Sequence, residues 1–344
     1  MTHQPPKSMA YWLLIMCGWI IGTAMIGAIT RLTDSGLSIM DWAAGEFWWP
    51  SAEQITDYYL LYQKTPESQI TAFTREEFTP RFFLEWFHRN WGRALGVIAL
   101  AGLIYYAARR QIPRSVAPVV IAAPWLIGFQ GFLGWFMVYS GFETHMGVDH
   151  YRLALHLGGA IVALGLFYWT ALKILYPAPR WNIPARPWAW AFSGLLITLL
   201  FGAFTAGLNA AEASSSWPNF HPGQFLPAGL CDGAQSPWRP ACWVNSQRGV
   251  HFVHRNIALI AAGLLIFASI RTLMISRSSP AKGVAVAGIG LVITQMTLGI
   301  WLVVAGGLFG DPTLGKYTLA VLHQLVALAL FLTTLTALYG RARH

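Results

Sequence analysis

The chain has 344 residues, of which 55% are hydrophobic and 11% charged, with 17 tryptophans. Soluble proteins carry about 25% charged residues, so the composition excludes a soluble globular domain and points to a polytopic membrane protein. The net charge of +9 comes without a basic run interleaved with aromatics, which excludes nucleic acid as a partner; the excess Lys and Arg is expected to mark cytoplasmic loops.

Eight apolar segments of spanning length are predicted, at about 10–30, 86–107, 116–139, 152–172, 188–208, 250–270, 283–305 and 317–339. At about 1.5 Å per residue each covers a hydrocarbon core of roughly 30 Å. No small-residue cleavage pattern follows the first run, so no removable signal peptide is expected. Arg109, Arg110 and Arg114 follow the second span, Lys173, Arg180 and Arg186 the fourth, Arg271, Arg277 and Lys282 the sixth, and Arg341 and Arg343 the eighth. The acids gather in the alternate loops: Asp34 to Glu77, Glu143 and Asp149, Glu212 and Asp232, and Asp311. Both termini are therefore expected in the cytoplasm, with two long outer loops at about 31–85 and 209–249. Within the first, Thr74 to Phe83 reads as a short amphipathic helix at the outer surface that leads into the second span. Of three cysteines, Cys17 lies in the first apolar run as a core residue. Cys231 and Cys242 share the second long loop, and an oxidising compartment favours a disulfide between them.

The stretch Glu85 to Arg93 sets a carboxylate, an imidazole and two guanidinium groups at the head of an apolar span. A charge at mid-bilayer depth costs about 2.5–3.5 kcal/mol on insertion scales, so convergent ionisable groups there are expected to do chemistry or hold a ligand. Of ten histidines, His88, His156, His254 and His323 stand near the starts of the even-numbered spans, and the two pairs are almost equally separated. The local words repeat as well. His88-Arg89-Asn90 is echoed by His254-Arg255-Asn256, the run Gln130–Trp135 by Gln295–Ile300, and Gly27–Thr30 by Gly202–Thr205. The fold expected is all-α and integral to the membrane: two tandem four-helix bundles, 1–180 and 181–344, related by a pseudo-twofold axis along the membrane normal. Even-numbered spans all run inward, which puts the four histidines in the outer half of the bilayer.

One buried histidine is ordinarily a helix-packing hydrogen bonder. Four in duplicated positions fit axial ligation of haem iron, His88 with His156 and His254 with His323. Arg89, Arg93, Arg152 and Arg255 lie within a turn or so of these ligands and can either pair with haem propionates or snorkel to lipid headgroups. A closed zinc site wants four ligands, and each unit offers two. His3, His145, His150, His221, His251 and His344 read as solvent or interface residues. The units differ at one place: Glu85 precedes His88 by three residues, whereas His251 occupies that place before His254. Glu85 is thus the candidate acid–base group, or else the partner of Arg89 four residues on.

The runs Gly27–Ser38, Glu85–Arg89, Gly128–Val138, Tyr151–His156, Phe252–Arg255 and Leu322–Gln324 carry a resemblance to the heme A synthase family that covers nearly the whole chain. The resemblance implies oxidation of the C8 methyl of haem o to a formyl group by two successive hydroxylations, through a gem-diol that loses water. It implies that His88 and His156 flank the substrate haem, that His254 and His323 ligate haem b, and that Glu85 matches the family's catalytic carboxylate. Molecular oxygen is the implied oxidant, and the partners are an electron donor, membrane lipid and the farnesyltransferase that produces haem o, with homo-oligomers possible. A bacterial inner membrane is the expected location. The chain departs from the family in the run Asn209–Pro218, where relatives tend to carry a more apolar segment, and in lacking a cysteine pair in the first outer loop. Two other functions remain on sequence grounds: a non-catalytic di-haem b electron-transfer cytochrome, and a haem or metal transporter.

Overall fold

The computed structural model describes all residues except 1–3, 41–47, 144–146, 179–180, 222, 228, 231–238, 305–311 and 342–344. Eleven α-helices are found among the described residues: α1 (Lys7–Leu32), α2 (Ala52–Tyr62), α3 (Pro66–Ile70), α4 (Arg75–Ala108), α5 (Ala117–Glu143), α6 (His150–Leu175), α7 (Ala185–Gly207), α8 (Pro240–Asn245), α9 (Gln247–Ile275), α10 (Ser279–Val304) and α11 (Pro312–Tyr339). Eight of them, α1, α4, α5, α6, α7, α9, α10 and α11, are long and apolar enough to cross a membrane, as expected of a multi-pass membrane protein. In a bilayer the helix is the natural solution for such segments, because it satisfies every backbone polar group internally.

The second span differs from expectation. The surface helix anticipated at Thr74 to Phe83 is continuous with it, and α4 runs 34 residues. Thr74 caps its start: the hydroxyl accepts from the Glu77 N–H at 3.3 Å, and the Glu77 carboxylate accepts from the Thr74 N–H at 2.9 Å. Pro80 removes one helical hydrogen bond, yet no second breaker stands between it and the apolar run. Phe78 and Phe82 are fully buried there, packed with Ile39, Ile55 and Tyr62. Burying an aromatic side chain contributes about 1.5–3 kcal/mol, enough to carry the helix past the proline.

The chain divides into two compact units, Met1–Leu175 and Tyr176–His344. In the first, α1, α4, α5 and α6 each pack on the next and α6 closes on α1. In the second, α7, α9, α10 and α11 follow the same cyclic order. Each unit is therefore an up-down four-helix bundle. Tryptophans weld the first pair of spans in each. Trp19 and Trp91 stack at 4.3 Å, and the Trp19 indole donates to the Trp91 carbonyl at 2.9 Å. The fully buried Trp188 donates to Thr272 Oγ1 at 2.8 Å. An indole N–H inside an apolar bundle needs such an acceptor.

Candidate functional site

All four duplicated histidines point into their bundles, and each meets a glycine on the preceding span. A Cβ on Gly27 of α1 would stand 2.9 Å from His88 Cε1; on Gly134 of α5, 3.2 Å from His156 Cε1; on Gly202 of α7, 3.3 Å from His254 Cε1; and on Gly299 of α10, 3.0 Å from His323 Cε1. Relaxed carbon contacts are about 3.5–4.0 Å, so any side chain at these positions would displace a ring. These glycines lie in the echoed words of the sequence, but their role as cradles is legible only in the packing. One turn before each cradle stands a polar residue: Thr23, Gln130, Thr198 and Gln295.

Nδ1 of every one of the four rings is buried with no hydrogen-bond partner. Native interiors rarely leave polar atoms so, and four in duplicated positions mark places built for something else to bind. His254 and His323 face each other with ring centroids 6.5 Å apart and planes crossed at 74°. That separation is too long for a direct hydrogen bond between rings and leaves room for one ion. Among the described residues no three His, Cys, Asp or Glu side chains converge, so each site offers two imidazoles rather than a four-ligand cage. Buried, bare and paired imidazole nitrogens fit the axial positions of a haem iron.

Glu85 is 2% exposed and fully engaged. Its Oε2 accepts the backbone N–H groups of Ser38 and Ile39 at 2.7 and 2.9 Å, and its Oε1 accepts Arg89 Nη2 and Nε at 2.7 and 3.1 Å. Arg89 also donates to the Ile39 carbonyl. The pairing of Glu85 with Arg89, one of the two sequence readings, is thus present. It does more than the i,i+4 pattern predicts, because it fastens the segment after α1 to the stretch of α4 that carries His88. Arg81 adds a donor to the Thr33 carbonyl of that segment at 3.1 Å.

The second unit makes the equivalent fastening without a carboxylate. Arg255, 8% exposed, donates to Ser214 Oγ at 3.2 Å and to the carbonyls of Ser216, Pro218 and Asn219 at 2.8, 3.2 and 3.4 Å. The unusual run after α7 is therefore the segment this guanidinium holds. His251, standing where the first unit has Glu85, is buried against the Phe220 ring at 5.6 Å; the solvent or interface place expected for it is replaced by an interior one, because Phe220 folds back over α9. His150 is likewise buried, at the start of α6, and not at the solvent. Arg93 donates to Asn90 Oδ1 at 3.1 Å, and Arg152 to the Phe136 carbonyl at 3.1 Å. Cys17 is a buried free thiol. Cys242 is buried on α8, while Cys231, like His3, His145 and His344, lies outside the described residues.

Fold and site together define a class: a multi-pass helical membrane protein of two four-helix bundles, each holding a pair of half-buried imidazoles whose Nδ1 atoms are buried without a partner. Comparison with known proteins names the family. Residues 10–335 match the cytochrome oxidase assembly protein family, and the chain belongs to it. The chain is 38% identical over 306 residues to the heme A synthase of Rhodospirillum centenum, covering 86% of this chain and 80% of that protein. It is 35% identical over 356 residues to the heme A synthase of Sphingopyxis alaskensis (98% and 93%) and 33% identical over 341 residues to that of Flavobacterium psychrophilum (97% and 98%).

Proposed function

We propose that this chain is a heme A synthase, an oxidoreductase that converts the C8 methyl of haem o to a formyl group by successive hydroxylations. The observation that carries the reading is an unequal duplication. Both bundles seat a histidine pair against glycine cradles, and only the first sets a carboxylate, Glu85, three residues before its leading histidine. Membership of the cytochrome oxidase assembly protein family supports the same conclusion.

In this reading residues 1–180 form the substrate unit and 181–344 the electron-transfer unit, related by a pseudo-twofold axis along the membrane normal. His88 and His156 flank haem o. His254 and His323 hold haem b, which supplies one-electron transfer to the oxidation by molecular oxygen. Glu85 is the acid–base group of the first unit. All four of its contacts are donors to its oxygens, so releasing or taking a proton at Oε1 requires the Arg89 fork to open first, and Arg89 thereby governs the carboxylate. Each guanidinium has five N–H donors, which lets Arg89, Arg93, Arg152 and Arg255 offer haem propionates those not used within the protein. The charge pattern of the loops supports a bacterial inner membrane with both termini in the cytoplasm and the sites toward the periplasm. There the Cys231–Cys242 disulfide forms, and haem o arrives through the lipid phase from its producing farnesyltransferase.

The test is to make the chain in a haem o-producing host without a heme A synthase of its own. Haem A in the membranes supports the reading, provided Glu85→Gln abolishes it. A non-catalytic di-haem b cytochrome would leave haem o unchanged with either protein.

A further inference from the structure

We propose that an aromatic cleft beside the start of α9 is a quinol site, through which the second unit takes its electrons. This rests on the haem b assignment above and gives the electron donor a chemical class: a lipid-soluble aromatic carrier of two electrons.

Trp217, Phe225, Phe252, Arg255, Asn256 and Leu259 line the cleft. The last four stand three or four residues apart, so they share one face of α9. His254 is turned the other way, against Gly202 of α7. The segment after α7 supplies the roof: the Phe225 ring lies 5.5 Å from that of Phe252, and Trp217 lies 5.0 Å from the Arg255 guanidinium carbon. Phe225 and Leu259 are exposed, and α9 is a membrane-spanning candidate, so the mouth opens toward lipid. The cleft and the His254 ring stand at the same level of one helix. The width of that helix, about 10 Å, is a distance electrons cross without contact between donor and iron.

Two polar groups are left over inside these walls. Asn256 Nδ2 donates to the Phe252 carbonyl at 2.8 Å, and its Oδ1 accepts no hydrogen bond among the described residues. Arg255 commits Nη1 and Nη2 to the segment after α7 and leaves its Nε–H over. Apolar walls with a few convergent polar groups are the usual form of a small-molecule site. An acceptor beside a donor suits a ring whose hydroxyls become carbonyls: Asn256 accepts the quinol O–H, and Arg255 donates to the quinone oxygen.

The first unit closes the matching place. Asn90 makes the same bond, to the Trp86 carbonyl at 3.0 Å, but Arg93 takes its Oδ1 at 3.1 Å. Trp49 meets the Trp86 ring at 5.4 Å. Leu259 stands at the register of Arg93, so the acceptor is free only in the unit read as the electron carrier. Each quinol oxidised in the cleft gives two protons to the outer aqueous side and two electrons, one at a time, to ferric haem b; the quinone returns to lipid. One hydroxylation consumes dioxygen, two electrons and two protons and releases one water, so one quinol balances it.

The purified full-length protein is mixed anaerobically with decylubiquinol, and haem b reduction is followed by absorbance. In parallel an azido-substituted decylbenzoquinone is photolinked to the protein and mapped by mass spectrometry. Wild type is expected to be reduced and to carry the label within 217–225 or 252–259. Asn256→Leu, which removes one hydrogen bond, is expected to slow reduction by about fivefold. Leu259→Arg, which copies the first unit, is expected to slow it further and to abolish labelling. Dithionite, which needs no site, should reduce haem b fully in all three proteins, a control that lost folding would fail. If Leu259→Arg does not fold, Asn256→Leu and the label decide. No reduction of wild-type haem b by decylubiquinol, reduction by a soluble protein donor alone, equal rates in wild type and Asn256→Leu, or label confined elsewhere overturns the quinol site. A wild-type protein without haem b overturns the assignment beneath it instead, and the photolabel then tests the cleft by itself.

Discussion

Gly299→Ala tests the cradles most sharply. The added methyl carbon would stand 3.0 Å from His323 Cε1 and 3.5 Å from its Nδ1. Relaxed contact requires about 3.5–4.0 Å, so the ring or the helix must yield by roughly 0.5–1 Å. Overpacking of this kind costs about 1–3 kcal/mol, which corresponds to a loss of about 5–150-fold in an affinity that needs the ring in place. Gly290 on the same helix is the control, since a Cβ there meets no atom within 4 Å, and alanine in a helix interior is favoured over glycine by about 1 kcal/mol. The assay is haem b per polypeptide and its absorbance spectrum for both variants in the same membrane preparation. Gly299→Ala is expected to lose haem b and broaden its spectrum, and Gly290→Ala to keep both at the wild-type level. Full haem b with a native spectrum in Gly299→Ala, or equal losses in the two, would refute the cradle.

Three further outcomes are expected. Glu85→Gln leaves the Arg89 guanidinium buried without its counter-charge, so haem A formation stops and the first unit loses about 3–5 kcal/mol, measured as a fall in its thermal unfolding midpoint. Adding Arg89→Leu should restore much of that midpoint but none of the activity; recovery of activity in the double variant would show that the carboxylate has no chemical part. Arg255→Leu removes the donor shared by Ser214, Ser216, Pro218 and Asn219, so protease added to spheroplasts should cut the segment after α7 faster than in wild type, an effect that equal cutting would deny. If Cys231 and Cys242 are joined, the denatured wild-type chain takes up one maleimide per molecule without reductant, at Cys17, and three with it; three in both conditions removes the disulfide.

The spans were legible because eight uninterrupted apolar runs admit no other solution in a bilayer. The tandem duplication was legible because histidine, glycine and glutamine recur at matched offsets. Where the sequence misled was local. Thr74–Phe83 reads as a short amphipathic surface helix leading into the second span, and the burial of Phe78 and Phe82 makes the two one continuous helix. Glu85 and Arg89 could be paired from their spacing, but the Ser38 and Ile39 amides that complete the carboxylate's shell come from more than forty positions away, beyond any local pattern. Arg255 reads as a partner of haem propionates or of lipid headgroups; the carbonyls of the folded-back segment that it also reaches lie 36 to 39 positions away, beyond any local pattern. The cradle glycines were visible as repeated letters, and only the packing of one helix on the next turned them into contacts.

Which haems the two bundles carry separates an enzyme from an electron carrier most directly. The direct measurement is extraction and chromatography of the haems from purified full-length protein made in cells that synthesise haem o. Haem b is expected together with haem o and haem A, with haem b lost selectively in His254→Ala and His323→Ala, and haem o and haem A lost selectively in His88→Ala and His156→Ala. Haem b as the sole species, removed in part by substitutions in either bundle, would contradict it and leave an electron-transfer cytochrome in its place.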